Sequence, residues 1–211
     1  MHPVLQQLVT KYPDLQGCAD AIARAFETIR TSYRQGGKLL VCGNGGSAAD
    51  SEHIVGELMK GFMYRRPVPD AKRQKLRELF PDNGDDLADR LQGALPAISL
   101  VSHSALSTAF INDVDADMVF AQQVYGYGKP GDAIVGLSTS GNSKNVVHAL
   151  QVARALGMWT IGFTGRGGGK MNELCDVMIR VPYDSTPDIQ ERHLPIYHAL
   201  CIMLEQEFFE S

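Results

Sequence analysis

The sequence predicts an α/β fold, a three-layer sandwich around a five-stranded, mostly parallel sheet. Five short, largely apolar runs recur along the chain: KLLVC at 38–42, AISLV at 97–101, AIVGLS at 133–138, WTIGFT at 159–164 and DVMIRV at 176–181. Each is too short for a helix and does not alternate, which is how strands buried on both faces read. Helical stretches separate the runs, and that βαβα order calls for crossover connections and a parallel sheet.

Long helices flank this core. Residues 14–35 read as one helix, closed by Gly36-Gly37. Residues from about 187 to 209 read as another, with Pro195 inside it. A proline there deletes one hydrogen bond and favours a kink. The least regular stretch is an insertion at about 64–95 within a single domain spanning 1–211. It carries a basic cluster (Lys72, Arg73, Lys75, Arg77) and an acidic one (Asp82, Asp85, Asp86, Asp89). Two short amphipathic helices around Asn83-Gly84 suit it, as a solvated insertion.

The chain has 211 residues, 44% hydrophobic and 21% charged, enough for a sizeable core. A net charge of −4 argues against nucleic acid or an acidic membrane surface as partner. Any phosphate must then be held locally, by backbone amides and hydroxyls. No run of about 18 apolar residues is present to span a bilayer, and no basic segment followed by an apolar run opens the sequence. Cys18, Cys42, Cys175 and Cys201 form no CxxC pair and no regular framework. These features predict a cytoplasmic protein of a reducing compartment.

Two loops point to the chemistry. The first strand runs into Gly43-Asn44-Gly45-Gly46-Ser47-Ala48-Ala49-Asp50. Glycines let backbone N–H groups approach an anion, and a helix starting near Ser47 aims its dipole at the same place. The spacing is neither a Walker loop nor GxGxxG, and on glycine content alone a tight strand–helix turn explains it. The third strand ends in Ser138-Thr139-Ser140-Gly141-Asn142-Ser143, also before a helix. Four hydroxyls are more than an N-cap needs. Both loops follow the carboxyl ends of parallel strands, where open α/β sheets bind ligands. Together they favour a phosphate monoester over a dinucleotide. A third loop, Gly165-Arg166-Gly167-Gly168-Gly169-Lys170, reads either as cationic help or as a plain turn.

His53 and Glu57 stand four apart, on one face of the helix after the first loop. The last helix carries Gln190, Glu191, His193 and His198. His and Glu suit proton shuttling between adjacent carbons, although a His in an apolar stretch such as IYHALCIML is commonly a core residue. Gln190 and His198 are about 12 Å apart along a straight helix. A shared ion would need long side chains, a bend at Pro195 or different subunits.

The motifs CGNGGSAAD at 42–50 with His53 and Glu57, LSTSGNS at 137–143, and TPDIQE at 186–191 with His198 resemble the sedoheptulose-7-phosphate (phosphoheptose) isomerase family of sugar isomerase (SIS) domains. The resemblance spans nearly the whole chain outside 64–95. It implies a flavodoxin-like fold, a homotetramer with active sites at subunit interfaces, and a sugar phosphate substrate. It implies Glu57 and His198 as the acid–base pair. Substrate contacts would come from Asn44, Gly45, Gly46, Ser47, Glu57, Asn112, Asp113, Ser138, Thr139, Ser140, Ser143 and Gln190. Zinc, where a member binds it, would be held by His53, Glu57, Gln190 and His198, with no organic cofactor. The insertion and Pro195 depart from the usual pattern of the family. Two alternatives belong to other classes: a non-catalytic phosphosugar-binding regulator that binds a replication initiator, and an isomerase of another sugar phosphate. The first such relative lacks the Glu and final His that stand here as Glu57 and His198, which favours the enzyme.

Overall fold

The computed structural model describes residues 1–210. In chain order, α1 (Pro3–Lys11) and α2 (Ala19–Arg34) precede β1 (Leu39–Gly43) and α3 (Gly46–Met59). Next come α4 (Asp70–Leu79), α5 (Gly84–Arg90), β2 (Ala97–Ser99), α6 (Ser104–Asp113) and α7 (Val119–Tyr127). The chain closes with β3 (Ala133–Leu137), α8 (Lys144–Ala155), β4 (Trp159–Thr164), β5 (Val177–Arg180) and α9 (Thr186–Phe209). All five apolar runs are strands, and every pairing among them is parallel. The order β2-β1-β3-β4-β5 is the flavodoxin-like doubly wound arrangement, whose switch point lies between β1 and β3.

Pleating explains why the runs are apolar throughout. Leu39, Val41, Val135, Leu137, Ile161, Phe163 and Ile179 pack into a core shared with α1, α2 and α9. Their neighbours Leu40, Cys42 and Ile134 face the other way, against Val124 of α7 and Val146 and Leu150 of α8. Each fully buried side chain of this size contributes about 1.5–3 kcal/mol, and a buried polar position such as Thr160 is hydrogen-bonded, its Oγ1 donating to Leu174 O at 2.9 Å. All four cysteines are free, and Cys18, Cys42 and Cys201 are buried.

Three local features differ from the sequence reading. Residues 14–35 are not one helix: Pro13–Cys18 form a 3-10 segment and the α-helix begins at Ala19. Gly17 weakens helical continuation there. Asp14 is also drawn into tertiary contacts, accepting from Tyr183 Oη at 2.9 Å and Arg192 Nε at 2.6 Å. The expected terminator does close α2, since Gly36 adopts φ +78° and Gly37 N–H donates to Ser32 O at 2.9 Å. Helix α1 was not anticipated; its buried Leu5, Leu8 and Val9 join the core beside α9. Finally, α9 is continuous from Thr186 to Phe209 through Pro195.

The insertion folds as two short helices on either side of Asn83-Gly84, as expected. A Cβ at Gly84 would sit 2.4 Å from Leu76 O, so the close approach of α4 and α5 requires glycine. The charge clusters pair across this hairpin, Arg73 with Asp89 and Arg77 with Asp85, each at 2.7 Å. No residue of α4 is buried. Exposed pairs of this kind contribute about 0–1 kcal/mol each.

Arg66, at the root of the insertion, behaves differently. It is fully buried against Glu205 of α9, with Nε donating to Oε1 at 2.8 Å. Its other nitrogens donate to Leu58 O at 2.7 Å and Glu57 O at 3.0 Å, satisfying carbonyls at the carboxyl end of α3. Glu205 also accepts from Phe62 N–H at 2.8 Å and Met63 N–H at 2.7 Å. Burial alone would raise the Glu205 carboxyl, but these N–H groups and Arg66 outweigh it and hold it below its ordinary value. Glu205→Ala should therefore cost about 3–5 kcal/mol, because it strands a buried guanidinium. Urea unfolding at neutral pH measures this, and a loss below 1 kcal/mol would contradict the account.

Candidate active site

The carboxyl ends of β1 and β3 lie side by side, paired through Gly43 and Leu137. Both glycine- and serine-rich loops therefore open at the switch point. In the first loop, a Cβ at Gly43 would meet Ser47 O at 2.6 Å, which forces a tight turn. Gly45 adopts φ +57° as the N-cap of α3. Ser47 N–H donates to Asn44 O and Ala48 N–H to Gly45 O, each at 3.0 Å. The N–H groups of Gly45 and Gly46 take no partner among the described residues. Free N–H groups at a helix N-terminus are what an anion requires. Ser47 itself is buried.

In the second loop, Ser138 Oγ and Ser143 Oγ lie 2.9 Å apart, and Asn142 N–H donates to Ser140 Oγ at 3.2 Å. Gly141, at φ +66°, closes the turn. The third glycine loop supports the second rather than adding charge to it. Gly165 N–H donates to Thr139 O and Lys170 N–H to Asn142 Oδ1, each at 3.0 Å. Arg166 turns away to Asp184 and Pro182 O. The first two loops are joined by a residue that sequence reasoning missed. Asn145, in the first turn of α8, exchanges two amide hydrogen bonds of 2.9 Å with Asn44. No spacing rule connects positions 101 residues apart.

Helices α3 and α9 run alongside each other from the loops outward. The Gln190 amide packs on Gly46, 2.8 Å from where a Cβ would stand. Further along, His53 Nε2 lies 3.2 Å from Glu57 Oε1 and 3.4 Å from His198 Nε2. His53 Nδ1 meets Tyr197 Oη at 3.0 Å, and Tyr197 donates to Asp50 Oδ1 at 3.0 Å. Burial lowers His198 from its ordinary value, as does neighbouring His53, against an opposing pull from Glu57. Its imidazole is thus neutral near pH 7. The core histidine of α9 is His193, fully buried beside Phe163 and lowered to about 4 by burial. Asp50 and Tyr197 escaped the sequence reading. Asp50 stands three before His53, one turn away, but only the fold supplies Tyr197 to join them.

Asn112 and Asp113 are not brought to this cluster. They end α6, exposed, with Asn112 Nδ2 donating to Asp113 Oδ1 at 2.8 Å. A cavity of about 600 Å³ lies elsewhere, under the insertion, between Phe62, Arg66, Arg73 and Leu91.

The donors His53, Glu57 and His198 suit zinc chemically. Ligand atoms about 2.0–2.1 Å from a tetrahedral zinc stand about 3.3 Å from one another, close to the two separations measured at His53 Nε2. Among the described residues, however, no three His, Cys, Asp or Glu side chains surround a common point as a formed metal shell. Gln190 stays with Gly46, about 10 Å back along α3 from His53 at 1.5 Å per residue.

Parallel sheet, switch-point loops and carboxylate–imidazole cluster together define a SIS-type sugar phosphate domain. The SIS domain family matches residues 14–73 and 75–165. The phosphoheptose isomerase of Rhodospirillum rubrum is 42% identical over 191 residues, covering 90% of this chain and 88% of that protein. The phosphoheptose isomerase of Akkermansia muciniphila is 36% identical over 202 residues, covering 96% and 93%. The solved phosphoheptose isomerase of Neisseria gonorrhoeae superposes with a TM-score of 0.75 at 31% identity, covering 95% of this chain and 94% of that one. The chain belongs to the phosphoheptose isomerase family of SIS-domain proteins.

Orthophosphate should bind between the two loops, and Ser140→Ala/Ser143→Ala should weaken it by about tenfold or more, since a hydrogen bond to a charged group contributes about 1.5–3 kcal/mol. Calorimetric titration reads this directly; unchanged affinity in the double variant would remove the second loop from the site.

Proposed function

We propose that this chain interconverts sedoheptulose 7-phosphate and D-glycero-manno-heptose 7-phosphate, in the making of activated heptose. The observation that carries this reading is the meeting of Glu57 and His198, from α3 and α9, around His53. Glu57 lies outward along α3, whose N-terminus forms the first loop, and His198 reaches the same place from α9. The loops fix the phosphate end through Gly45, Gly46, Ser138, Thr139, Ser140 and Ser143, with Asn44, Ser47 and Gln190 beside them. The carbon chain then extends along α3 toward Glu57.

Ketose–aldose exchange needs one proton moved between adjacent carbons and one between the two oxygens. Glu57 removes the proton from C1 of the ketose, and His198, neutral and able to donate, protonates O2. The resulting enediol takes the proton back from Glu57 at C2 while O1 returns one to His198, restoring both groups and leaving the aldehyde at C1. No electron acceptor is involved, and no organic cofactor is required. Zinc held by His53, Glu57 and His198 would supply Lewis-acid stabilisation of the enediol oxygens. Gln190 would complete that set from a second copy of the chain, since its own chain keeps it at Gly46.

The surroundings support assembly. Within one chain the Glu57 side chain is mostly buried, while His53 has 42% of its side chain exposed, so the cluster reaches the surface at His53. Asn112 and Asp113, remote within the chain, would reach substrate from a neighbouring subunit. A homotetramer, a single SIS domain carrying 64–95 as an insertion, and a cytoplasmic setting complete the proposal. No helix of the described residues is long and apolar enough to cross a membrane.

Glu57→Gln and His198→Asn should each retain the fold and lower kcat by at least about a hundredfold, the low end for a positioned acid or base. Near-normal turnover of sedoheptulose 7-phosphate in either variant would show that its residue is not part of the acid–base pair. For the metal, elemental analysis should find about one zinc per chain, as a single site requires. Chelation should lower activity and added Zn²⁺ restore it. Full activity in protein shown to be metal-free would leave Glu57 and His198 acting without an ion.

A further inference from the structure

Asp50, Tyr197 and His53 form a chain of hydrogen bonds that ends at the reacting groups. Tyr197 is 2% exposed, and its hydroxyl meets two partners, Asp50 Oδ1 and His53 Nδ1, each at 3.0 Å. A hydroxyl has a single proton to give. The Asp50 carboxylate can only accept, so it takes that proton, and the Tyr197 oxygen must then accept from His53.

We propose that Asp50 and Tyr197 are positioning residues that hold His53 in its Nδ1–H tautomer, leaving a lone pair on Nε2 aimed at Glu57 and His198. This inference rests on the proposed isomerase site. Which ring nitrogen of a histidine is bare is set by the bond the other one makes, and here that bond is made by the Tyr197–Asp50 relay. Three consequences follow from the distances. His198 can donate its Nε2–H to the His53 lone pair at 3.4 Å. Once Glu57 has taken the substrate proton, its hydroxyl has an acceptor at 3.2 Å. The same lone pair is the form in which imidazole ligates a metal. The opposite tautomer would fill Nε2 and abolish all three.

The rings also fix orientation. Tyr197 and His53 meet edge to face at 5.5 Å and 75°, and His53 meets His198 at 4.9 Å and 82°. His53 thus has little freedom to flip without leaving both neighbours. Tyr197 also packs edge to face on His198 at 5.1 Å and 88°, a contact that Tyr197→Phe keeps, so removing the hydroxyl acts on His53.

The test reads the tautomer directly, without turnover. Protein labelled with ¹⁵N-histidine, as isolated and after chelation, is examined by long-range ¹H–¹⁵N correlation at pH 8, with His53 assigned by His53→Gln. The chelated protein is the deciding sample, because a bound ion would itself keep Nε2 bare. Wild-type His53 should show Nδ1 protonated and Nε2 bare. Tyr197→Phe, which keeps the ring but removes the hydroxyl, should shift His53 toward the Nε2–H form that a free side chain favours in water. Asp50→Ala should do the same, because the freed Tyr197 proton turns to Nδ1. Asp50→Asn, whose amide oxygen still accepts from Tyr197, should restore the Nδ1–H form. In turnover assays Tyr197→Phe should lower kcat by about 10–100-fold, the usual cost of losing an outer partner, with KM unchanged. An Nε2–H tautomer in the chelated wild type, or no shift in both Tyr197→Phe and Asp50→Ala, overturns the proposal. That result would leave the isomerase reading intact, whereas an inactive protein with the expected tautomers would overturn only the isomerase reading.

Discussion

Burying both faces of a wholly parallel sheet is the constraint on which the rest of the molecule depends. Parallel neighbours cannot be joined by tight turns, so each connection must cross one face and return to the end of the sheet where the strands begin. Crossovers on both faces give the order β2-β1-β3-β4-β5 and leave β1 and β3 adjacent, with their outgoing loops diverging to opposite layers. The gap between those loops is what the glycines and hydroxyls fill. An acidic chain can then hold a phosphate without a basic patch, using helix N-termini and N–H groups whose partners the turns have removed.

A second constraint acts across the layers rather than within the sheet. Glu57 and His198 belong to different helices, and their meeting depends on α3 and α9 keeping their relative height. Arg66 and Glu205 join these helices from inside. The guanidinium takes the terminal carbonyls of α3, including that of Glu57, while its carboxylate partner belongs to α9. A buried pair of this kind often contributes little more stability than apolar residues of the same volume. What it does offer is register: the bonds exist only when the two helices stand at one offset. The insertion begins at Arg66, so its ion-paired outer hairpin can vary without disturbing that contact.

Electrostatics in the cluster follow from the same geometry. Half-burial beside His53 lowers His198, whereas full burial in the core takes His193 much further from its ordinary value. The two histidines stand five apart on one helix, and the difference lies in which face each occupies. Only His198 has an ionisable partner within reach.

Much of this was legible from the sequence. The five strands, their parallel arrangement, both switch-point loops and the α4–α5 hairpin followed from apolar periodicity and from glycine, serine and charge placement, all of which act over a few residues. The His53–Glu57 pair was equally local, being one helical turn. The break at Pro13–Cys18 was missed because Asp14 is claimed by Tyr183 and Arg192, partners more than 160 residues away. Asn145 against Asn44, Arg66 against Glu205 and Tyr197 against Asp50 were hidden for the same reason. Likewise, a spacing of eight from Gln190 to His198 set their separation along α9, but the packing of α3 decided that one would rest on Gly46 and the other on His53. The sequence by itself determined which segments are strands, where the chain turns and which side chains can carry chemistry, because backbone preference and apolar periodicity are short-range. Only the tertiary structure decided which of those side chains meet, because hydrogen bonds of about 3 Å between distant segments exist only once the layers have packed.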